Sequence, residues 1–85
     1  MIKRYKDLFQ PSSIKILFIL MSSQNGMCFT ELMLNLKMSP SVLSKYLAYL
    51  KDIKVIVKDE DKYTLTNKGV DLVKKIYELI DLLEN

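Results

Sequence analysis

Histidine and tryptophan are absent from this 85-residue chain, and cysteine occurs only once, at Cys28. A single cysteine rules out an intrachain disulfide, which suits a reducing compartment such as the cytoplasm. Without histidine, one chain has no Cys/His cluster to hold a metal, so we expect neither a metal nor another cofactor. The sequence has no histidine base, clustered nucleophile or phosphate-binding loop, so an enzyme is the least favoured class.

Glycine and proline are scarce too, with two of each, while 49% of the residues are hydrophobic. This composition excludes a disordered chain and is typical of a helix-rich domain. A chain of this length forms one domain, residues 1–85, and its small core would gain stability from a partner subunit. We expect Cys28, within the apolar run "MCF", to be a small core residue.

Neither sign of charge dominates the chain, whose net charge is only +3. Residues 1–53 carry seven basic side chains against three acidic ones, and residues 54–85 carry six against seven. The positive excess therefore lies in the N-terminal two thirds. It permits a polyanionic partner without requiring one, because a mixed surface is also ordinary for a soluble domain.

Hydrophobic runs are short. The run Ile14–Met21 follows a basic start, as in a signal peptide, but Pro11 and Lys15 interrupt it and no cleavage site follows. Spanning a bilayer needs about 20 apolar residues. The run therefore predicts a buried helix after a short first helix, and we expect no membrane partner.

Three hydroxyl residues carry the signature of a helix start, Thr30, Ser39 and Thr66. Each follows an apolar residue and precedes another by four positions, so a side-chain cap and an apolar staple coincide. We predict helix boundaries at 30, 39 and 66. The short gap between Leu36 and Ser39 forces two helices to cross steeply, as in a helix-turn-helix.

The segments "KVIVKDE" and "KYTLT" are β-branched or alternating on either side of "DEDK", which predicts a hairpin. The whole pattern predicts a mainly α fold with a small β-hairpin, an α+β class. Its order is a short first helix, a buried second helix, a short strand at "MCF", two helices, the hairpin and a long last helix. We expect the helix-turn-helix at about 30–53, the hairpin at about 54–66 and the last helix at 67–85.

The helix after Ser39 has two different faces. Leu43, Leu47 and Leu50 point to the core, with Tyr46 at the edge, whereas small polar residues and one lysine lie opposite. Short hydroxyl side chains let a helix approach a DNA major groove, which is about 12 Å wide. The alternative is an ordinary solvated face.

The segment Phe29–Gly69 resembles the winged helix-turn-helix transcriptional regulators of bacteria and archaea, in the broad ArsR/MarR-like group. It is more similar still to small archaeal DNA-binding proteins that dimerise through a C-terminal coiled coil. The motifs are "SPSVLSKYLAYL", "KVIVK" and "YTLTNKG". By this resemblance, the recognition helix contacts DNA through Pro40, Ser41, Ser44, Lys45 and Tyr46, although core packing also suits the Tyr46 ring.

Two positions depart from the family pattern. Lys54 stands where these families usually have glycine at the end of the recognition helix, which implies a left-handed residue or a different cap. The tip of the predicted wing carries Asp59, Glu60 and Asp61, which phosphate repels. That leaves Lys58 and Lys62 as the wing residues predicted to reach DNA.

The last helix carries a predicted coiled-coil seam. Its interface residues are Val73, Ile76, Tyr77, Ile80 and Leu83. Leu72, Leu79 and Leu82 form a second apolar stripe, so one stripe can face the core and the other an identical chain. The alternative is one wide buried face. In a dimer, the recognition helices must lie about 34 Å apart to read successive major grooves.

The sequence thus favours a cytoplasmic homodimer that binds double-stranded DNA sequence-specifically and regulates transcription. The competing reading is a winged-helix protein-interaction module without DNA contact. The acidic wing tip, the weak net charge and the apolar last helix favour this second class.

Overall fold

A computed structural model describes the backbone of residues 2–85 and the side chains of residues 4–85. Helices dominate, and three strands form one small antiparallel sheet, which confirms the predicted α+β class. The elements are a 3-10 helix (Ile2–Phe9), α1 (Pro11–Ser22), β1 (Met27–Cys28), α2 (Phe29–Leu36), α3 (Pro40–Asp52), β2 (Ile56–Asp59), β3 (Lys62–Leu65) and α4 (Asn67–Glu84).

The core is built around α1, whose Ile16, Leu17 and Leu20 are at most 3% exposed. The predicted buried helix is therefore confirmed. Its hydroxyl residue Ser13 is also fully buried, and it donates a hydrogen bond of 2.6 Å to the carbonyl oxygen of Asp7. That bond satisfies the buried hydroxyl and fixes the 3-10 helix against α1.

The predicted "MCF" strand pairs with the hairpin, so the sheet order is β1-β3-β2. In the hairpin, Lys58 is opposite Tyr63 and Asp59 is opposite Lys62, and the turn between them is Glu60 and Asp61. We call β2, β3 and this turn the wing. Glu60 has a positive φ of 57°, a backbone conformation that costs more for a side chain than for glycine.

Two of the three predicted helix caps are confirmed. The hydroxyl of Ser39 accepts a hydrogen bond from the Val42 amide at 3.4 Å, and that of Thr66 accepts one from the Gly69 amide at 3.1 Å. Both helices therefore begin where the hydroxyl pattern placed them.

The predicted boundary at Thr30 is wrong. Helix α2 begins at Phe29 with Cys28 as its cap, because the Glu31 carboxylate reaches back and accepts from the Cys28 amide at 3.0 Å. This contact from inside the helix satisfies a free amide two positions earlier than a Thr30 cap requires. Cys28 is consequently half-buried at the start of a helix and is not a core residue.

Helix α3 ends in the left-handed conformation that the sequence implied at Lys54, with φ of 65°. The Lys54 amide donates to the carbonyl of Lys51 at 3.0 Å, and the Val55 amide donates to that of Leu50 at 3.2 Å. These two bonds are the Schellman pattern, which glycine normally makes possible at such a position.

The start of α4 is joined to the end of α3 by hydrogen bonds. The Thr66 hydroxyl donates to the Lys54 carbonyl at 2.7 Å, and the Thr66 amide donates to the Val55 carbonyl at 3.0 Å. The Lys68 ammonium donates to the Ile53 carbonyl at 3.1 Å. Carbonyl groups left without partners at the end of one helix are thus satisfied by the first turn of the next.

Candidate nucleic-acid interface

Helix α3 presents a polar face to solvent because its three leucines are in the core. Leu43, Leu47 and Leu50 are at most 2% exposed, and the opposite side of the helix is open. The sequence-predicted contacts on that open side are Pro40, Ser41, Ser44 and Lys45, and all four are exposed. The structure therefore brings these four together on one accessible surface at the N-terminal half of α3.

The first turn of α3 adds polar groups to this surface. The Ser39 and Ser41 hydroxyl oxygens lie 3.5 Å apart, and both residues are exposed. The helix begins at Pro40, which lacks an amide hydrogen, and Ser39 satisfies one of the remaining amides. A helix N-terminus of this kind carries partial positive charge and attracts phosphate.

Tyr46 stands apart from the other predicted contacts. Its ring is half-buried against the core, and the Lys45 ammonium lies 5.3 Å from the ring centroid. A cation over an aromatic face is attracted by the ring electrons. The ring therefore holds the Lys45 side chain on the exposed side of α3. The role of Tyr46 is to support that lysine.

The two wing lysines emerge on opposite faces of the hairpin, because successive residues of a strand alternate sides. Lys58 shares a face with its cross-strand neighbour Tyr63, and its ammonium lies 5.6 Å from that ring centroid. Lys62 is opposite Asp59 on the other face. The sequence alone did not separate these two lysines.

Lys62 also lies near a second carboxylate, that of Glu31. The pKa of Glu31 is lowered from its ordinary value of 4.5, first by the hydrogen bonds that it receives from Cys28 and then by the positive charge of Lys62. Two acidic residues, Asp59 across the hairpin and Glu31, thus lie in the surroundings of Lys62. Lys58, in contrast, lies against an aromatic ring.

One cation was missed by sequence reasoning. Lys37 occupies the tight turn between α2 and α3, where it is exposed and has a positive φ of 54°. It lies two residues before the Ser39 cap. The signal available in the sequence was a lysine within the three-residue gap of the helix-turn-helix.

The predicted dimer seam is buried near the start of α4 and exposed near its end. Val73 is fully buried in the core of its own chain and has no surface to offer a partner, which corrects the prediction at that position. Ile76 is half-buried, and Tyr77 packs on Phe18 of α1 with ring centroids 5.1 Å apart. The seam residues Ile80 and Leu83 are 42% and 83% exposed.

The end of α4 extends beyond the core. Leu79 and Leu82 are 57% and 71% exposed, so in this region both apolar stripes are open and a single wide buried face is excluded. The charges of α4 are also segregated. Residues 67–76 carry three lysines against one aspartate, whereas residues 77–84 carry three acidic side chains and no basic one.

The described part of the chain contains neither a membrane-spanning helix nor a cluster of metal-binding side chains. Within residues 2–85, no helix is both long and apolar enough to cross a membrane. The same residues contain no group of three or more cysteine or acidic side chains arranged to hold a metal ion.

Comparison with known proteins identifies the family of this fold. The chain belongs to the winged helix-turn-helix family, whose family model matches residues 12–84. Among solved structures, HlyU from Vibrio cholerae is similar, with a TM-score of 0.70 and 24% sequence identity. That match covers 87% of this chain and 84% of HlyU, and at this identity it is a similarity of fold. No curated protein sequence matches the chain significantly.

The family match confirms the winged helix-turn-helix that residues 29–69 resemble and extends it over most of the chain. The fold is that of DNA-binding proteins of the transcription-regulator type. In such folds, the second helix of the helix-turn-helix is the recognition helix, and here that helix is α3.

Proposed function

We propose that this protein is a homodimeric transcription regulator that binds double-stranded DNA in a sequence-specific manner through α3. The observation that carries the proposal is the exposed polar surface at the N-terminal half of α3. In this family fold, the corresponding region enters the major groove. The proposed compartment is the cytoplasm.

The proposed division of roles follows the chemistry of each side chain. Ser41 and Ser44 are short enough to let α3 approach the base edges, and each hydroxyl can both donate and accept. Lys45 reaches a guanine edge or a phosphate. Lys37 and the amides at the start of α3 bind backbone phosphates, which positions the helix without reading sequence.

The wing has a smaller proposed role. Lys58 contacts the DNA backbone, whereas the charge of Lys62 is partly offset by its cross-strand neighbour Asp59 and by Glu31. The exposed acidic turn, Asp59–Asp61, is directed away from phosphate because like charges repel. Sequence recognition therefore depends mainly on α3.

Dimerisation is proposed through the exposed end of α4. Leu79, Ile80 and Leu83 offer apolar surface that a single chain leaves in water. The segregated charges select the orientation of the partner. If two α4 helices run antiparallel, the basic half of each meets the acidic half of the other, whereas parallel pairing places like charges together.

DNA binding is tested by measuring affinity for random and genomic duplexes at several salt concentrations. The logarithm of the binding constant should fall with the logarithm of salt by about 0.9 per phosphate neutralised. Lys45→Glu should weaken binding clearly. Lys15→Glu is the matched control, since it makes the same charge change at an exposed position of α1, outside both proposed surfaces.

Two results contradict direct DNA binding. One is an affinity that does not change with salt. The other is an equal loss in Lys45→Glu and Lys15→Glu, because it would mean that only the total charge matters and that α3 is not the contact surface.

The dimer is tested by sedimentation of an Ile80→Asp, Leu83→Asp variant. Both side chains are exposed in the single chain, so the variant should remain folded and become monomeric. Leu34→Asp, at a site on α2 that is 67% exposed, should remain dimeric. A folded, unchanged dimer in the α4 variant refutes the proposed interface.

The second candidate function is a protein-interaction module without DNA contact. The acidic wing turn favours it, because three exposed carboxylates in sequence suit a basic protein surface better than a phosphate backbone. The same salt titration separates the two functions. Salt-independent or absent DNA binding, together with an unaffected Lys45→Glu variant, favours the interaction module.

A further inference from the structure

A cavity of about 240 Å³ lies where the 3-10 helix, the end of α3 and the first half of α4 meet. Its walls are apolar side chains from all three elements, Tyr5, Leu8, Ile53, Val55 and Leu72. An apolar protein cavity of about 150 Å³ holds a benzene molecule. This one therefore has room for a six-membered ring with a short substituent, or for an aliphatic chain of similar size.

The rim of the cavity is charged. Lys68, Asp71 and Lys75 line it, so the charges of the lining residues sum to one positive charge. Lys68 already donates to the Ile53 carbonyl. The described contact of Lys75 is a 3.8 Å pair with Glu78 in which both side chains are about 70% exposed, and such exposed pairs are weak.

We propose that this cavity is a binding site for a small apolar monocarboxylate. The apolar body of the ligand occupies the space between Tyr5, Leu8 and Leu72, where it is removed from water. Its carboxylate lies at the rim and pairs with the Lys75 ammonium. One negative charge balances the single positive charge of the lining residues and replaces the weak, exposed contact of Lys75 with Glu78, whereas a cationic ligand adds to that positive charge and a neutral one does not change it.

The walls are held in place without a ligand. The Tyr49 hydroxyl donates to the Arg4 carbonyl at 2.8 Å, which fixes the 3-10 helix against α3. On the opposite side, Val55 is fixed by its bond to Leu50 and by the bond that it accepts from Thr66. Because the site is preformed, binding does not have to order these segments.

Direct binding to the full chain, without DNA, tests this proposal independently of the proposed function. Phenylacetate is titrated into isotope-labelled protein while backbone amide resonances are recorded. Saturable shifts are expected at Ile53, Val55 and Leu72. Benzyl alcohol and benzylamine are the neutral and cationic counterparts, and they should bind about fivefold more weakly or worse. Equal binding of all three, or no saturable shift at these amides, overturns the proposal.

A pair of lysine variants tests the role of the rim. Lys75→Met keeps an aliphatic side chain and removes the charge, so phenylacetate should bind about fivefold more weakly while benzyl alcohol is unaffected. Lys74→Met makes the same change at a neighbouring exposed residue outside the cavity and should alter neither affinity. An unchanged phenylacetate affinity in Lys75→Met, or an equal loss in Lys74→Met, contradicts the assignment.

Discussion

The carbonyl oxygen of Val55 occupies the space that a β-carbon on Gly69 would need. The same carbonyl accepts a hydrogen bond from the Thr66 amide at 3.0 Å, so it cannot move aside without losing that bond. The glycine lies in the first turn of α4 and is buried. It therefore permits the close approach between the start of α4 and the segment that follows α3.

Gly69→Ala should lower the free energy of unfolding by about 3 kcal/mol, because the added methyl group must displace a bonded backbone carbonyl. The measurement is urea unfolding followed by circular dichroism. Asn67→Ala, at an exposed position of the same turn, is the control and should change stability much less. Similar midpoints for the two variants would mean that the contact at Gly69 relaxes easily.

Lys54→Gly should stabilise the protein by about 1 kcal/mol. A non-glycine residue in the left-handed region costs about 1–2 kcal/mol, and part of the gain is offset by the greater freedom of glycine in the unfolded chain. Lys51→Gly makes the same substitution inside α3, where it should destabilise by about 1 kcal/mol. Thermal unfolding compares the two, and a loss of stability in both variants contradicts the strain assigned to Lys54.

The Glu31 carboxyl should titrate below its ordinary pKa of 4.5, because the Cys28 hydrogen bonds and then the Lys62 charge favour its ionised form. A lowered folded-state pKa stabilises the fold above pH 4.5, and this contribution is lost as the pH falls through the folded-state value. Carboxyl chemical shifts measured against pH give the pKa directly.

Glu31→Gln should reduce the loss of stability between neutral and acidic pH, while Glu84→Gln, at the exposed end of α4, should not. An ordinary pKa at Glu31, or equal pH profiles for the two variants, contradicts the cap at Cys28.

The wing lysines should differ in DNA binding if the proposed function holds. Lys58→Ala should weaken binding to all sequences about equally and reduce the salt slope by about one phosphate contact. Lys62→Ala should leave the slope nearly unchanged, because its charge is partly offset by its neighbour Asp59 and by Glu31. Equal effects would place both side chains at the DNA backbone.

The sequence predicted helix starts well where a hydroxyl was the only capping group available. Ser39 and Thr66 cap their helices as expected, but at Thr30 the pattern competed with a contact that a hydroxyl search does not consider. Glu31 satisfies a backbone amide from inside the helix. A capping residue is therefore predictable only when side chains on both sides of it are considered together.

The exposed face of α3 was predictable for a different reason, but the dimer seam of α4 was predictable only in part. Helical periodicity identified the exposed face of α3, since its three leucines define the buried side. Periodicity also placed Val73 with Ile80 on one seam, although only Ile80 remains exposed, because α4 extends beyond the core at its C-terminal end. The length over which one helix covers another depends on tertiary packing, which a repeat in the sequence does not encode.

Although the wing separates them in sequence, α4 is held directly against the end of the recognition helix α3 by the hydrogen bonds of Thr66 and Lys68. If two chains associate through α4, the distance between their two recognition helices is then constant. Half-site spacing on DNA would be encoded in the angle at which the α4 helices cross. Substitutions in α4, far from any base pair, would change which operators fit.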